Sequence, residues 1–170
     1  MSSRPSSSVT DRTLHLADLD NLVGGPWNPH RVPTTMANFL AAAALRSGDH
    51  LVVAAEKALA KTALFQMPRE ARFLIGTGPN GADLKLLDAV PVELIARCYT
   101  ALVIGSGDGC FEVLARQARD LGVHVTVVSN RDTLSRRLAA AADLVVPLSP
   151  LVSDVSAAVA PATVFAPVAA

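Results

Sequence analysis

The stretch that most constrains the fold is residues 101–129, ALVIGSGDGCFEVLARQARDLGVHVTVVS. It begins with an apolar run at 101–104, passes through a turn of small residues, and continues with apolar residues at helical spacing. A second β-rich run follows at 123–128. This order predicts two parallel strands joined by a right-handed crossover helix. Ligands of such sheets bind beyond the carboxyl ends of the strands, and Asp108 lies at such an end.

The same alternation of short apolar runs and helical patterns extends along the chain. The predicted strands are residues 13–17, 50–54, 71–75, 101–104, 123–128 and 144–148. This pattern is typical of an α/β protein with a doubly wound, mostly parallel sheet of about five or six strands in a Rossmann-like three-layer sandwich. Pro147 places the last strand at a sheet edge. The segment 130–142 before that strand is predicted to be helical.

The 170-residue chain is expected to form one domain at residues 13–149. Residues 1–12 are rich in serine, and we expect them to be disordered. Residues 150–170 form an Ala, Val and Pro tail that is too short and too often interrupted by proline to span a bilayer. The first residues lack the apolar core of a signal peptide.

Charge and cysteine content exclude several classes of protein. The net charge is zero and the pI is about 6.9, so a large basic surface for duplex nucleic acid is not expected, although a local patch is compatible with these values. Cys98 and Cys110 are the only cysteines, and they do not resemble a disulfide framework or a zinc site. We therefore expect a soluble, cytoplasmic protein that does not interact with membranes.

Three carboxylates occupy positions where chemistry is expected. Asp18 ends the first strand, Asp108 ends the strand that begins at residue 101, and Asp83 opens the helix after the third strand. If the first and fourth strands are neighbours, Asp18 and Asp108 converge. Carboxylates only a few Å apart cannot all stay ionised without a cation. Oxygen ligands suit Mg²⁺ or Mn²⁺, and such an ion can activate water for displacement at phosphorus. An acid in the position of Asp83 also stabilises a helix N-terminus without any metal.

Two sequence motifs resemble those of NYN domains, a branch of the PIN-like metal-dependent ribonucleases. LHLADLDN resembles the opening strand and D-x-x-N pattern of that family, which maps onto Asp18 and Asn21. NGADLKLLDAV resembles its G-x-D-x-x-L-x-x-D segment, which maps onto Asp83 and Asp88.

Two further segments extend the resemblance to about residues 13–149. SGDGCFEVLARQARDLG resembles the family's S-G-D-x-D-F segment and the helix that follows it, which maps onto Asp108. SRRLAAAADLVVPL resembles the closing segment and places Asp143 before the last strand. In one position the chain departs from the family, because Cys110 stands where the second acid of S-G-D-x-D-F is usual.

The resemblance implies an endoribonuclease that hydrolyses RNA phosphodiester bonds with Mg²⁺ or Mn²⁺, on single-stranded or structured RNA. Asp18, Asp83 and Asp108 would hold the metal, and Asn21 would orient Asp18 or the scissile phosphate. Loss of the acid at Cys110 removes about one charge from this site and would weaken metal binding or turnover.

Substrate contacts are expected from a few further residues. Ser106 is expected to contact a phosphate through its hydroxyl, and Trp27 could stack on a base. Arg131 and Arg136, with Arg137 beside them, could contact the RNA backbone, although the sequence favours a solvated helix face for these arginines.

Two other functions remain open at this point. A non-catalytic RNA-binding or protein-binding module on a nuclease scaffold fits the Cys110 substitution, and the apolar tail could then pack on a partner or on a second copy in a homodimer. A phosphatase similar to the haloacid dehalogenases fits the D-x-D pattern of Asp18 and Asp20, with Asp108 as metal ligand and Lys85 upstream.

Overall fold

A single six-stranded parallel sheet forms the centre of the protein. The computed structural model describes residues 11–24 and 28–148. Over these residues the strand order is β3-β2-β1-β4-β5-β6, and every neighbouring pair is parallel. The strands are β1 Thr13–Asp18, β2 His50–Glu56, β3 Arg72–Gly76, β4 Ala101–Gly105, β5 His124–Ser129 and β6 Leu144–Pro147. The predicted doubly wound α/β fold, the pairing of the first and fourth strands and the edge position of the last strand are confirmed.

Helices cover both faces of this sheet. The α-helices are α1 Leu19–Val23, α2 Val32–Ala42, α3 Lys57–Ala63, α4 Gly81–Leu87, α5 Val92–Cys98, α6 Glu112–Asp120 and α7 Arg136–Ala141. Short 3₁₀ turns lie at Pro29–Arg31, Leu64–Gln66 and Gly109–Phe111. One hydrophobic core contains residues of α4, α5, α6 and α7, and a second core on the opposite face contains residues of α1, α2 and α3. These two cores make a three-layer sandwich.

Strand β1 lies in the middle of the sheet and is buried along its whole length. Leu14 and Leu16 point into one core and Ala17 into the other, as the alternation of side chains along a strand requires. Thr13 and His15 alternate with leucines in this run, yet every residue of the strand is buried, because helices cover both faces of the sheet.

The switch point of the sheet lies between β1 and β4, because successive strands are added in opposite directions from this pair. Ala17 is the register partner of Gly105, so the two strands end at the same level. A Cβ atom at Gly105 would lie 2.4 Å from a ring carbon of the fully buried Phe39, so only glycine lets helix α2 pack this closely. Residues just beyond the two strands are thereby brought together at the end of the sheet where the carboxyl ends of the strands lie.

Two helices differ from the sequence-based expectation. Helix α1 was not predicted, because its five residues carry two acidic or amide side chains that are typical of a loop. The predicted helix 130–142 is wrong in its first half. Asn130 and Thr133 close a hydrogen-bonded turn, and Ser135 donates its N–H to Gly107 at 2.8 Å, so the helix begins only at Arg136.

Some expectations concern the ends of the chain and the loop after α1. Asp11 forms an ion pair with Arg46 at 3.2 Å, and Arg12 accepts a backbone hydrogen bond from Thr100. These last two residues of the segment 1–12 are therefore ordered rather than disordered. Residues 1–10, Trp27 and the tail 150–170 lie outside the described residues. Within the described ranges, no helix has the length and apolar character needed to cross a bilayer.

The junction of β3 and α4 leaves no room for a side chain at Gly76, where a Cβ would lie 2.3 Å from backbone atoms of Gly81 and Ala82. We expect Gly76→Ala to lower the free energy of unfolding by about 1–3 kcal/mol, because backbone cannot move away as a flexible side chain would. Urea denaturation measures this change. Ile75→Val, at a neighbouring side chain that is 48% exposed, is the control and should have the same free energy of unfolding as the wild type. Equal stability of Gly76→Ala and the wild type would contradict this packing.

Candidate metal and active site

An acidic pocket of about 250 Å³ lies at the carboxyl ends of β1, β2 and β4 and at the start of α4. It is the place where the switch point predicts a ligand site. Most of the groups that line it are carboxylates and amides: Asp18, Asp20, Asn21, Glu56, Asn80, Ala82, Asp83 and Asp108. The structure therefore brings together the three acids that the sequence singled out.

Asp18 is the most deeply placed of these acids, with only 4% of its surface exposed. The Ser106 hydroxyl donates to its Oδ2 at 3.2 Å, and the Asn21 N–H donates to its Oδ1 at 3.3 Å. This second hydrogen bond caps helix α1. The carboxyl group is thus fixed from both the β4 side and the α1 side.

Asp83 enters the pocket from the first turn of α4 and is 8% exposed. Its Oδ1 is buried and has no hydrogen-bond partner among the described residues. The preceding Asn80 adopts a left-handed backbone conformation, with φ +55°, which turns the chain into the helix. A buried oxygen without a donor is costly, so Asp83 is the group in the pocket with most to gain from a cation.

Asp108 lines the pocket from the loop after β4, and Cys110 lies beside it on the same loop. The Cys110 N–H donates to Asp108 Oδ1 at 2.8 Å, which fixes the start of the 3₁₀ turn. Both side chains are accessible to solvent. Donor atoms of Asp83, Asp108 and Cys110 all lie within 4.8 Å of one another.

Burial and mutual repulsion raise the pKa of the two inner carboxyl groups. Burial first, and then the hydrogen bond and the charge of Asp83, raise the pKa of Asp18 to about 8. Burial, with the charges of Asp108 and Glu56, also raises the pKa of Asp83. Each carboxyl group of the Asp18–Asp83 pair therefore favours its protonated form more than an exposed carboxyl group does. Burial and the charges of Asp83 and Asp108 raise the pKa of the Cys110 thiol as well.

The donor set fits a divalent cation. Carboxylate oxygens are the ligands that Mg²⁺ and Mn²⁺ prefer, and one of them, Asp83 Oδ1, has no other partner. A cation would also offset the repulsion between Asp18 and Asp83, which contributes to the raised pKa of Asp18. The carboxylates of Asp83 and Asp108, with Asp18 lining the same pocket, offer the oxygen ligands that such an ion would take.

The predicted substrate contact of Ser106 does not fit its surroundings. Ser106 is fully buried, its hydroxyl donates to Asp18, and it accepts the Asp108 N–H at 3.1 Å. It therefore positions two acids rather than touching a phosphate. Asn21 has a similar role, because its side-chain Oδ1 accepts the Gly107 N–H at 2.8 Å while its own N–H holds Asp18.

The arginines of the last helical segment are arranged differently from the expectation. Arg131 and Arg136 are exposed, and neither lines the acidic pocket. Arg137 is the nearer residue, because its Nη2 lies 3.5 Å from the position that a Cβ at Gly109 would occupy. It therefore flanks the loop that carries Asp108 and Cys110.

Sequence reasoning missed the contribution of three residues to the pocket. Glu56 ends β2 just as Asp18 ends β1, and that position was the signal that could have identified it. Asp20, considered from the sequence only in the D-x-D pattern of a phosphatase, accepts the Glu56 N–H at 2.7 Å and links α1 to the end of β2. Asn80 also lines the pocket, from the turn before α4. Asp143 lies elsewhere, with its carboxylate 3.0 Å from Arg119 Nε.

Comparisons with known proteins support the fold. No protein-family model matches the chain, and no curated protein matches it. Among solved structures, the crystal structure of VPA0982, a protein of unknown function from Vibrio parahaemolyticus RIMD 2210633, is similar, with a TM-score of 0.56 and 20% sequence identity. The match covers 84% of this chain and 96% of that one. At this identity the similarity concerns the architecture alone.

The raised pKa of Asp18 predicts how stability depends on pH without added metal. In the unfolded chain this carboxyl ionises with a pKa near 3.8, and in the folded chain near 8. Folding is therefore increasingly opposed as pH rises between these values. We expect Asp18→Asn to raise the melting temperature at pH 8 in the presence of EDTA, and to raise it much less at pH 5, because the amide carries no charge.

Thermal melts at the two pH values test this expectation. Asp88→Asn, at an exposed acid that follows the C-terminal end of α4 and does not line the pocket, is the matched control and should leave the pH dependence unchanged. A melting temperature of Asp18→Asn below that of the wild type at pH 8 would contradict the expectation, because it would show that burial and neighbouring charges do not destabilise the ionised Asp18 carboxylate.

Proposed function

We propose that the protein is a metal-dependent endoribonuclease of the NYN/PIN-like type, which hydrolyses phosphodiester bonds of single-stranded or structured RNA. The observation that carries this proposal is the convergence of Asp18, Asp83 and Asp108 at the switch point of a parallel sheet, with a buried oxygen of Asp83 lacking any hydrogen-bond donor. The motif resemblance described above supports the same chemistry.

In this proposal Asp18, Asp83 and Asp108 hold Mg²⁺ or Mn²⁺. When bound, the ion would neutralise charge on the scissile phosphate and make water a better nucleophile. The chain's own contribution is to fix the three acids before substrate arrives. Ser106 connects Asp18 to the backbone of Asp108, so the two acids cannot move independently.

Substrate binding would draw on positive charges outside the pocket, since none of the residues that line it is basic. Arg137, beside the loop of Asp108, is well placed to contact an RNA phosphate close to the pocket. Arg131 and Arg136 lie farther along the same segment and remain candidates for outer backbone contacts. We include cytoplasmic location in the proposal, because the exposed free thiols of Cys98 and Cys110 suit a reducing compartment.

Cleavage of a labelled single-stranded RNA in the presence of Mn²⁺ tests this function. We expect the wild type to cleave, and Asp18→Asn and Asp108→Asn each to lose activity by about a hundredfold or more, because each removes a ligand charge. Asp88→Asn is the control, with an acid removed from the same helix as Asp83 but outside the pocket. EDTA should abolish cleavage by the wild type.

Equal cleavage by the wild type and both pocket variants would point to a contaminating nuclease and end the proposal. Absence of cleavage over a range of RNAs, with metal bound, would also reject it.

A non-catalytic RNA-binding or protein-binding module is the second candidate, favoured by Cys110 in the position of an acid. In that case RNA binding measured by fluorescence anisotropy would persist without any cleavage.

A haloacid-dehalogenase-like phosphatase has weaker support, because Lys85 does not line the pocket and Asp18 is too buried for an easily reached nucleophile. An RNA-cleaving homodimer remains compatible with every contact described.

A further inference from the structure

We propose that Cys110 makes the acidic pocket a mixed oxygen and sulfur site that favours Zn²⁺, with Asp83 and Asp108 as the oxygen ligands. This inference concerns the metal of the proposed nuclease and rests on that function only for its biological meaning. The resemblance implies that Cys110 stands where a carboxylate ligand is usual. The geometry indicates that the Cys110 thiol takes the place of that ligand.

The position of the thiol supports this assignment. Sγ of Cys110 lies within 4.8 Å of carboxylate oxygens of both Asp83 and Asp108. The Cys110 N–H is bound to Asp108, so the two side chains start from a fixed turn and face the same space. Cys110 is exposed and contributes nothing to either hydrophobic core, so packing does not explain the cysteine.

A second observation points to a ligand at the same place. Asp83 is more than nine-tenths buried, and its Oδ1 has no hydrogen-bond donor among the described residues. An acidic side chain placed in this way needs a positive partner, and none of the residues lining the pocket is basic. A cation between Asp83, Asp108 and Cys110 would supply that charge.

The three donors determine which cation is preferred. A metal ion deprotonates the thiol that binds it, and thiolate is a soft ligand that favours Zn²⁺ over Mg²⁺ and Mn²⁺. Zn²⁺ is usually four-coordinate, and sites with three protein ligands keep one position open for water or substrate. Three protein donors at an open pocket match that arrangement.

Most sites bind Zn²⁺ more tightly than Mn²⁺, so the absolute order of affinities does not test the role of sulfur. The informative quantity is the change in the ratio of the two affinities when Cys110 is replaced. Titration calorimetry in the presence of a phosphine reductant would measure both affinities for the wild type, Cys110→Ser and Cys110→Asp. Cys98→Ser is the matched control, because Cys98 lies at the opposite end of strand β4.

We expect Cys110→Ser to weaken Zn²⁺ binding by about tenfold or more while changing Mn²⁺ binding by less than about threefold. Cys110→Asp should strengthen Mn²⁺ binding and lower the Zn²⁺ to Mn²⁺ ratio, because carboxylate replaces thiolate. Cys98→Ser should behave as the wild type. An unchanged ratio in Cys110→Ser, or no Zn²⁺ binding by the wild type, overturns the proposal.

Two measurements report the metal–sulfur bond directly. Co²⁺ added to the wild type should give a near-ultraviolet charge-transfer band from thiolate to metal, absent in Cys110→Ser and retained in Cys98→Ser. In the wild-type protein, Zn²⁺ should slow alkylation of Cys110 without slowing alkylation of Cys98, and Mg²⁺ should slow neither. This measurement does not depend on whether a variant folds. Bound Co²⁺ without the band, or alkylation of Cys110 unaffected by Zn²⁺, contradicts sulfur ligation.

These results are separable from the fate of the nuclease proposal. Sulfur ligation without RNA cleavage under any metal leaves the site standing and removes the function. Cleavage with Mn²⁺ and no metal–sulfur bond leaves the function standing and removes the inference.

Discussion

The alignment of β1 with β4 is the constraint on which the rest of the structure depends. Ala17 and Gly105 are register partners, so the chain leaves both strands at the same level. A slip by one residue would turn Asp18 away from the pocket, because side chains alternate between the faces of a sheet. Phe39 against the bare backbone of Gly105 helps fix this alignment from the helical layer. The chemistry of the pocket therefore begins with the packing of an apolar sheet.

The carboxylates at the carboxyl ends of these strands are stabilised by specific hydrogen bonds and not by contacts with apolar side chains. Asp18 receives two donors and Asp108 one, whereas Asp83 Oδ1 receives none. This uneven distribution leaves the electrostatic cost concentrated on one oxygen. Burying such a group without a partner opposes folding, which is typical of sites where function and stability conflict. The largely buried strands β1, β2 and β4 beneath the pocket offset that cost.

The sequence predicted the architecture well, because the spacing of apolar residues in strands and in helices is almost sufficient to indicate a parallel sheet. It located Asp18 and Asp108 through the rule about strand ends. It did not find Glu56, because the predicted second strand stopped at residue 54, two residues before this acid. The positioning role of Ser106 was not predictable either, since the spacing of residues does not indicate whether a hydroxyl is buried.

The acidic pocket lies over the central strands of the sheet, while β3 and β6 form its two edges. Strands in a sheet are about 4.8 Å apart, so β6 lies roughly 14 Å from β1. The β6 margin of the molecule, unlike the β3 margin, which leads directly to Asn80 and Asp83, can therefore acquire insertions, new partners or extra strands without disturbing the charged centre. In such an architecture, evolution is free to change what the protein recognises while it preserves the chemistry, and the two can diverge at different rates.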